Sequence, residues 1–283
     1  MKIGLSLSPN LLTGKPIKEQ EKKLLSTFNG ITGFLSELKS RNVSSIEIRT
    51  ILPNTEECQA KEAIDTVLSY GFNISIHGKL IEIGEDTFKS CYPALDYLLR
   101  KYKQYQDKLI VVIHAFTSYE TGIDELVNNS VTALQKWLLH TKAESLSFAV
   151  EINRAKEGRN DSCTTSEGVL RIVDRIEDSR VGICFDMGHT YYNIQRDPKY
   201  YEITEAFLKK VIHTHIHGLG EGGTHCTLTP EDSLPLVKFL KMLNSVSYDG
   251  IYNLELSFEK FSMDNVAKEL INSIDKLSAL SHI

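Results

Sequence analysis

What the chain lacks narrows its reading first. No stretch approaches the ~18 consecutive apolar residues that a membrane span needs. The start, Met1-Lys2-Ile3-Gly4-Leu5-Ser6-Leu7-Ser8, has no long apolar run and no cleavage signature, so it reads as a first strand and not as a signal peptide. The five cysteines (58, 91, 163, 184 and 226) form an odd, scattered set without a CxxC pair. That argues for reduced thiols and a cytoplasmic location. There is no basic excess: 32 Lys and Arg stand against 37 Asp and Glu, a net charge of −5. Bulk charge is therefore not a means of gripping nucleic acid here. No linker, low-complexity tract or composition shift divides the 283 residues, which read as one domain over 1–283. With 41% apolar and 24% charged residues, the chain is neither disordered nor collagen-like and can bury a sizeable core.

What is present is alternation. Strand-like runs lie at Lys2–Ser8, Ser45–Thr50, Asn73–His77, Leu109–Ala115, Ser147–Asn153, Val181–Asp186, Val211–His217 and Ile251–Ser257. Helical patterns fill the intervals. Leu24, Leu25, Phe28, Ile31, Phe34, Leu35 and Leu38 fall on one stripe at helical spacing. Gly71 ends a helix after Leu68, and Thr229-Pro230-Glu231-Asp232 reads as a helix start. Repeated βα units imply a parallel sheet, and eight of them fit an α/β fold of the (β/α)8 TIM-barrel type, with a doubly wound sheet as the alternative.

Parity along the strands carries the argument further, because side chains alternate between faces. One face of each strand is apolar and suits surrounding helices: Ile74 and Ile76; Leu109, Val111 and Ile113; Phe148, Val150 and Ile152; Val181, Ile183 and Phe185; Ile212, Thr214 and Ile216. The opposite face, expected to line the interior, is mostly small or polar. It carries Gly4 and Ser6; Ser45, Glu47 and Arg49; Ser75 and His77; Ala149 and Glu151; Cys184 and Asp186; His213 and His215; Asn253 and Glu255.

That interior face ends, strand after strand, in a metal-ligand residue type. His77 closes the third strand, His114 the fourth, Glu151 the fifth and Asp186 the sixth, with His189 three residues on. His215 and Glu255 lie near the ends of the seventh and eighth. Seven of the nine histidines (77, 114, 189, 213, 215, 217 and 225) fall at or just past a strand end. Barrel active sites are built at the C-terminal ends of the strands. A single strand-end histidine is more often a hydrogen-bonded core residue than a ligand. Six strands presenting ligand types at one level is a different matter, because buried charges need partners and a shared cation reconciles them. Mixed His and carboxylate donors suit Zn2+, and carboxylate-rich sets suit Mn2+ or Mg2+. Glu47 is equally consistent with pairing to Arg49 or to another neighbour. His213, a layer deeper than His215, reads as structural, and His217 as a residue of the mouth loop. His140, His282 and Cys226 receive no role.

Val150-Glu151-Ile152-Asn153, Cys184-Phe185-Asp186-Met187-Gly188-His189, His213-Thr214-His215-Ile216-His217-Gly218 and Tyr248-Asp249-Gly250-Ile251-Tyr252-Asn253-Leu254-Glu255 resemble the xylose isomerase-like TIM-barrel superfamily. That group joins sugar isomerases and epimerases with the endonuclease IV family, and the resemblance runs over nearly the whole chain. In the epimerase branch it implies one divalent metal on Glu151, Asp186, His215 and Glu255. Glu151 and Glu255 then move protons on opposite faces of a ketose through an enediolate, and His189 orients a substrate oxygen. In the endonuclease IV branch (AP endonuclease family 2) it implies zinc on His77, His114 and Glu151, and a second zinc on Glu151, Asp186, His215 and Glu255. A third would take His189, His225 and an aspartate two residues before His225.

The chain departs from both patterns. The position of that aspartate is Gly223. The Asp that commonly follows the seventh-strand His is Gly218, and an epimerase arginine is replaced by Glu221. Retention of His77 and His114 favours a multinuclear site, while the acidic balance disfavours DNA. Basic residues in the mouth loops, Lys79, Arg154, Lys156, Arg159 and Arg196, are either solvated loop charges or contacts for a substrate phosphate. The leading expectation is a metal-dependent isomerase or epimerase of a small carbohydrate. It would use one to three Zn2+ or Mn2+ ions, with Glu151 and Glu255 as acid/base pair and Arg49, His189 and His225 as substrate contacts. The alternative expectation is a zinc phosphoesterase.

Overall fold

The computed structural model describes residues 1–49, 57–78, 97–101, 109–141, 146–197, 202–221, 223–228 and 234–282. Eight parallel strands close into a barrel: β1 (Lys2–Leu7), β2 (Val43–Arg49), β3 (Asn73–His77), β4 (Leu109–Ile113), β5 (Leu146–Glu151), β6 (Val181–Asp186), β7 (Val211–Ile216) and β8 (Ile251–Leu254). Neighbours follow chain order, and β1 closes the ring against β8, with Gly4 beside Asn253 and Leu5 beside Leu254. The barrel and not the doubly wound sheet is the fold. The expected helix start at Thr229–Asp232, and Lys79 and Cys91, lie outside the described residues.

The apolar faces point outward, as parity requires. Phe148, Val150, Ile183, Phe185, Ile216 and Leu254 are all buried beneath the helices. Phe185 packs edge-on to Phe207 and Phe239 at 5.5 and 5.4 Å, and Trp137 packs edge-on to Phe148 at 5.7 Å. Burial of each such side chain contributes about 1.5–3 kcal/mol. The helix Ser166–Ile176 shows how local sequence serves this packing. Thr165 caps it by accepting the Gly168 N–H at 3.0 Å, while Val169, Ile172, Val173 and Ile176 turn to the sheet. Gly168 is required there, because a Cβ would lie 1.6 Å from the Ser162 carbonyl oxygen.

Two expectations are corrected. The single apolar stripe from Leu24 to Leu38 is two helices, Glu19–Thr27 and Ile31–Ser40. Asn29 at φ 55° and Gly30 at φ 97° turn the chain between them. Gly33 lets the second start close, since a Cβ would lie 1.8 Å from the Phe28 carbonyl oxygen. In β7 the register slips: Val211 pairs with Ile183 but His213 with Cys184, which leaves Ile212 as the extra residue of a bulge. Ile212 therefore packs with the interior group Val112, Ala149, Cys184 and Ile110 instead of lying on the outer face. This apolar group lies in the lower barrel, where Ser75 and Ser147 pair beside Ile110 and His213 beside Cys184. Gly71 ends the helix Glu57–Ser69, as expected, at φ 68°.

Candidate metal centre

Pairing in the barrel stacks the interior side chains in tiers. Ser6 lies beside Glu47 in the β1–β2 pair, Asn253 beside His215 in β8–β7, and Asp186 beside His215 in β6–β7. Glu47 is fully buried and engages both its oxygens. Oε1 accepts from Ser6 Oγ at 2.5 Å and Asn253 Nδ2 at 3.2 Å; Oε2 lies 3.0 Å from His213 Nε2 and 3.1 Å from His215 Nε2. Burial alone would raise the pKa of Glu47, but the charges and hydrogen bonds of His215 and His213 hold it far below the usual carboxylate range. Glu47 thus pairs with the histidines and not with Arg49. Arg49 donates instead to the Leu256 carbonyl.

With Nε2–H of His215 directed to Glu47, its Nδ1 is the atom left for a ligand. Nδ1 lies 3.1 Å from Glu151 Oε1, 3.3 Å from Glu255 Oε2 and 3.8 Å from Asp186 Oδ2. Glu151 turns its other oxygen the opposite way. Oε2 lies 3.2 Å from His77 Nε2 and 2.7 Å from His114 Nε2, and His77 Nε2 is 3.5 Å from Glu255 Oε1. His77 directs Nδ1 to the Gly78 carbonyl at 3.2 Å, and its ring stacks on His215 with centroids 5.3 Å apart.

Asp186 ends β6 and caps the helix Met187–Arg196. Its Oδ1 accepts the His189 backbone N–H at 2.6 Å. His217 lies beside the same oxygen, Nε2 to Oδ1 3.1 Å, while its Nδ1 accepts the His225 N–H at 2.9 Å. Gly188 makes room for that ring, since a Cβ would fall 2.0 Å from His217 Cε1. His217 is therefore buried against Asp186 and is no loop bystander. Oδ2 is left facing the cluster. His189 directs Nδ1 to the Ile152 carbonyl at 3.0 Å, and its Nε2 meets His225 Nε2 at 3.1 Å. A short hairpin, Gly218–Gly220 against Gly223–Cys226, brings His225 back so that its Nδ1 lies 3.2 Å from the Glu255 carbonyl oxygen and 3.3 Å from Oε2.

The donor atoms are spaced much as ligands of a cation are, with Glu151 and Glu255 at 3.1 and 3.3 Å from His215 Nδ1 and Asp186 further off at 3.8 Å. Ligands about 2.0–2.2 Å from one ion stand about 2.9–3.6 Å apart. Five atoms of the cluster, His114 Nε2, Glu151 Oε2, Asp186 Oδ2, His217 Nε2 and Glu255 Oε2, are buried without a hydrogen bond. His114 and Glu151 approach to 2.7 Å without the alignment of a hydrogen bond, as two donors aimed at a shared point do. Groups whose donor atoms all lie within 4.8 Å of one another include His77, Glu151, His215 and Glu255; Glu151, Asp186 and His189; and His189, His217 and His225. Burial raises Glu151 and Glu255, yet the surrounding imidazoles hold both well below the ordinary carboxylate value. Burial also opposes a proton on His77, but Glu151, Glu255 and Glu47 outweigh it and raise His77 to about 9. His189 goes the other way, lowered by burial to about 4 despite Asp186.

Glu151, Asp186, His215, Glu255, His77 and His114 are thus brought together, and His189 and His225 stand beside them. Arg49, beside His77 in the β2–β3 pair, makes no hydrogen bond or ion pair with any of these side chains among the described residues. Sequence reasoning left open the bond from Glu47 to His215 and overlooked the close approach of His217 to Asp186. The shared interior parity of Ser6, Glu47, His213 and Asn253 was the available signal for the first.

Comparison with known proteins accords with this architecture. An uncharacterized protein of Methanocaldococcus jannaschii is 25% identical over 154 residues, 53% of this chain and 51% of that one, so the match spans about half the relative's length. A D-tagatose 3-epimerase-like protein superposes with a TM-score of 0.64 at 16% identity, covering 98% of both chains. The AP endonuclease, family 2, of Brucella melitensis superposes with a TM-score of 0.62 at 12% identity, covering 96% of this chain and 100% of that one. At such identities the likeness is one of fold. A family model matches residues 97–277, and on that match the chain belongs to the xylose isomerase-like TIM-barrel family.

Proposed function

We propose that the chain is a divalent-metal-dependent isomerase or epimerase of a small carbohydrate, a sugar or sugar phosphate. It would take a proton from the carbon beside a carbonyl and, through an enediolate, return it to the opposite face of that carbon (epimerisation) or to the neighbouring carbon (isomerisation). The observation that carries this reading is the convergence of Glu151, Asp186 and Glu255 on His215 Nδ1 while Glu47 holds the far side of that ring. Those four groups would hold Zn2+ or Mn2+, and His77 and His114 with Glu151 Oε2 would hold a neighbouring ion. A bound ion supplies Lewis acidity that draws charge from carbonyl and hydroxyl oxygens and acidifies the carbon-bound proton between them. Glu151 and Glu255, held ionised among the imidazoles, would take and return the proton. His189, neutral at physiological pH, would accept a substrate hydroxyl proton in a hydrogen bond, with His225 and Arg49 as further contacts.

A second reading, zinc-dependent phosphodiester hydrolysis of the endonuclease IV type, draws support from His77 and His114 on Glu151 Oε2. Metal analysis of protein purified without added metal, read together with activity, separates the two. One or two exchangeable Mn2+ or Zn2+ ions with interconversion of ketoses or ketose phosphates and no cleavage of DNA supports the first. Two or three zinc ions with cleavage of abasic-site DNA supports the second. A Glu151→Gln variant with unchanged metal content and unchanged activity would remove both.

A further inference from the structure

The segment after β5 forms a patch of another kind at the barrel mouth. From Glu151 the chain runs through Asn153, Arg154, Lys156 and Arg159 before the short ladder at Asn160–Asp161. Arg154 Nη1 lies 3.5 Å from Thr224 Oγ1, and its guanidinium carbon sits 5.6 Å from the centre of the Tyr192 ring. Tyr192 is one helical turn beyond His189, and Thr224 precedes His225. Arg154 therefore stands between the two segments that carry that imidazole pair.

Its charge is unanswered: among the described residues neither Arg154 nor Lys156 makes an ion pair. Arg159 meets Asp161 at 3.2 Å and keeps a buried Nε without a hydrogen bond. Asp161 is already committed to Asn153 at 2.9 Å and the Cys163 N–H at 2.9 Å. Glu157, on the same loop, is exposed and pairs with none of the three cations among the described residues. Arg159 and Arg154 crowd Lys156 enough to lower its pKa, with burial assisting.

The position that would carry a third-metal aspartate in the endonuclease IV pattern is Gly223, at φ 89°. A Cβ there would lie 3.3 Å from Arg154 Nη1. A carboxylate at 223 would neutralise the guanidinium; glycine leaves it open. The place of a third cation is thus bordered by a fixed cation of the chain itself.

We propose that Arg154, with Lys156 and Arg159, forms the subsite for the phosphate group of a small phosphorylated substrate, in place of a third metal ion. The inference rests on the functional reading above, since it sets the phosphate at the rim of that metal centre. A planar guanidinium fork binds two phosphate oxygens at once, and Lys156, with Arg159 held nearby on Asp161, suits a dianion with three acceptor oxygens better than a carboxylate.

The test is calorimetric titration of the full chain with glycerol 3-phosphate, glycerate and glycerol, with metal content measured on each protein. Glycerol 3-phosphate is expected to bind at least tenfold more tightly than glycerate, and glycerol not at all. Arg154→Gln should weaken glycerol 3-phosphate at least tenfold with metal content retained, and Arg154→Lys should restore part of the loss. Arg171→Gln, which removes an outer-surface pair with Asp124, should change nothing. If Arg154→Gln does not fold, judged by circular dichroism, Lys156→Ala carries the same expectation at a smaller loss. Metal-loaded Arg154→Gln binding within twofold of the parent, or glycerate binding as well as the phosphate, overturns the subsite. Tight binding of an abasic oligonucleotide with no affinity for glycerol 3-phosphate overturns its assignment to a small substrate. A parent protein that binds glycerol 3-phosphate through Arg154 but never holds metal retains the subsite and removes the functional reading instead.

Discussion

Two tiers of carboxylate occupy the barrel interior, equally buried and oppositely furnished. In the lower tier Glu47 has four partners, Ser6, Asn253, His213 and His215, two on each oxygen. In the upper tier Glu151, Asp186 and Glu255 each keep one oxygen without a hydrogen bond. A buried carboxylate oxygen left unpaired costs several kcal/mol or more unless a cation or proton answers it. Burial and residue type therefore do not separate a structural carboxylate from a ligand, whereas the occupancy of its lone pairs does. The tiers are joined through one ring, His215, whose Nε2 belongs to the lower and Nδ1 to the upper.

The comparison breaks most readily at the upper tier. Glu255→Gln should lower turnover on the ketose or ketose phosphate that the protein converts by about 10²–10⁴-fold, the usual worth of a positioned acid or base. Its thermal stability without metal should fall modestly, because the imidazoles that hold Glu255 ionised lose its counter-charge. Steady-state kinetics and a melting curve check both. Truncation in the lower tier should weigh far more on stability. Glu47→Ala leaves two buried imidazoles without their carboxylate and should cost about 3–5 kcal/mol in chemical denaturation. A loss under about 1 kcal/mol would show that the tier is not structural.

A gentler change sharpens the link between tiers. Glu47→Gln keeps the volume but loses the charge that orients His215, and should weaken metal binding about 10–100-fold in chelator competition. The smallest effect concerns pH. Without metal, His77 holds a proton up to about 9, and an ion needs the neutral imidazole. Binding therefore expels that proton, so affinity at the His77 side should rise about tenfold per pH unit below 9 and level off above it. His77→Asn should flatten the slope by about one proton.

The eight strands and their inward faces could be read from alternation alone, because period-2 patterning survives wherever the two faces differ chemically. Glu151, Asp186, His215 and Glu255 were legible for the same reason: each ends an inward face. The bulge at Ile212 was not, since one extra residue shifts parity without leaving a mark in composition. The partner of Glu47 stayed open because it is chosen by barrel closure, which brings residue 47 against 213 and 253. His217 was read as a mouth residue because nothing in the sequence states that Gly188 leaves space for its ring. The break of the first apolar stripe into two helices turns on Asn29 and Gly30, whose positive φ angles are a conformational choice and not a pattern of hydrophobicity.

The central claim, that Glu151, Asp186, His215 and Glu255 share an ion, is most directly tested by anomalous diffraction from crystals of the protein purified without added metal or chelator. The account predicts a metal peak about 2.0–2.2 Å from His215 Nδ1 and from an oxygen of each of the three carboxylates. A fully folded, active protein whose peak lies elsewhere, with Asp186 and Glu255 bonded to protein groups or water alone, would contradict it.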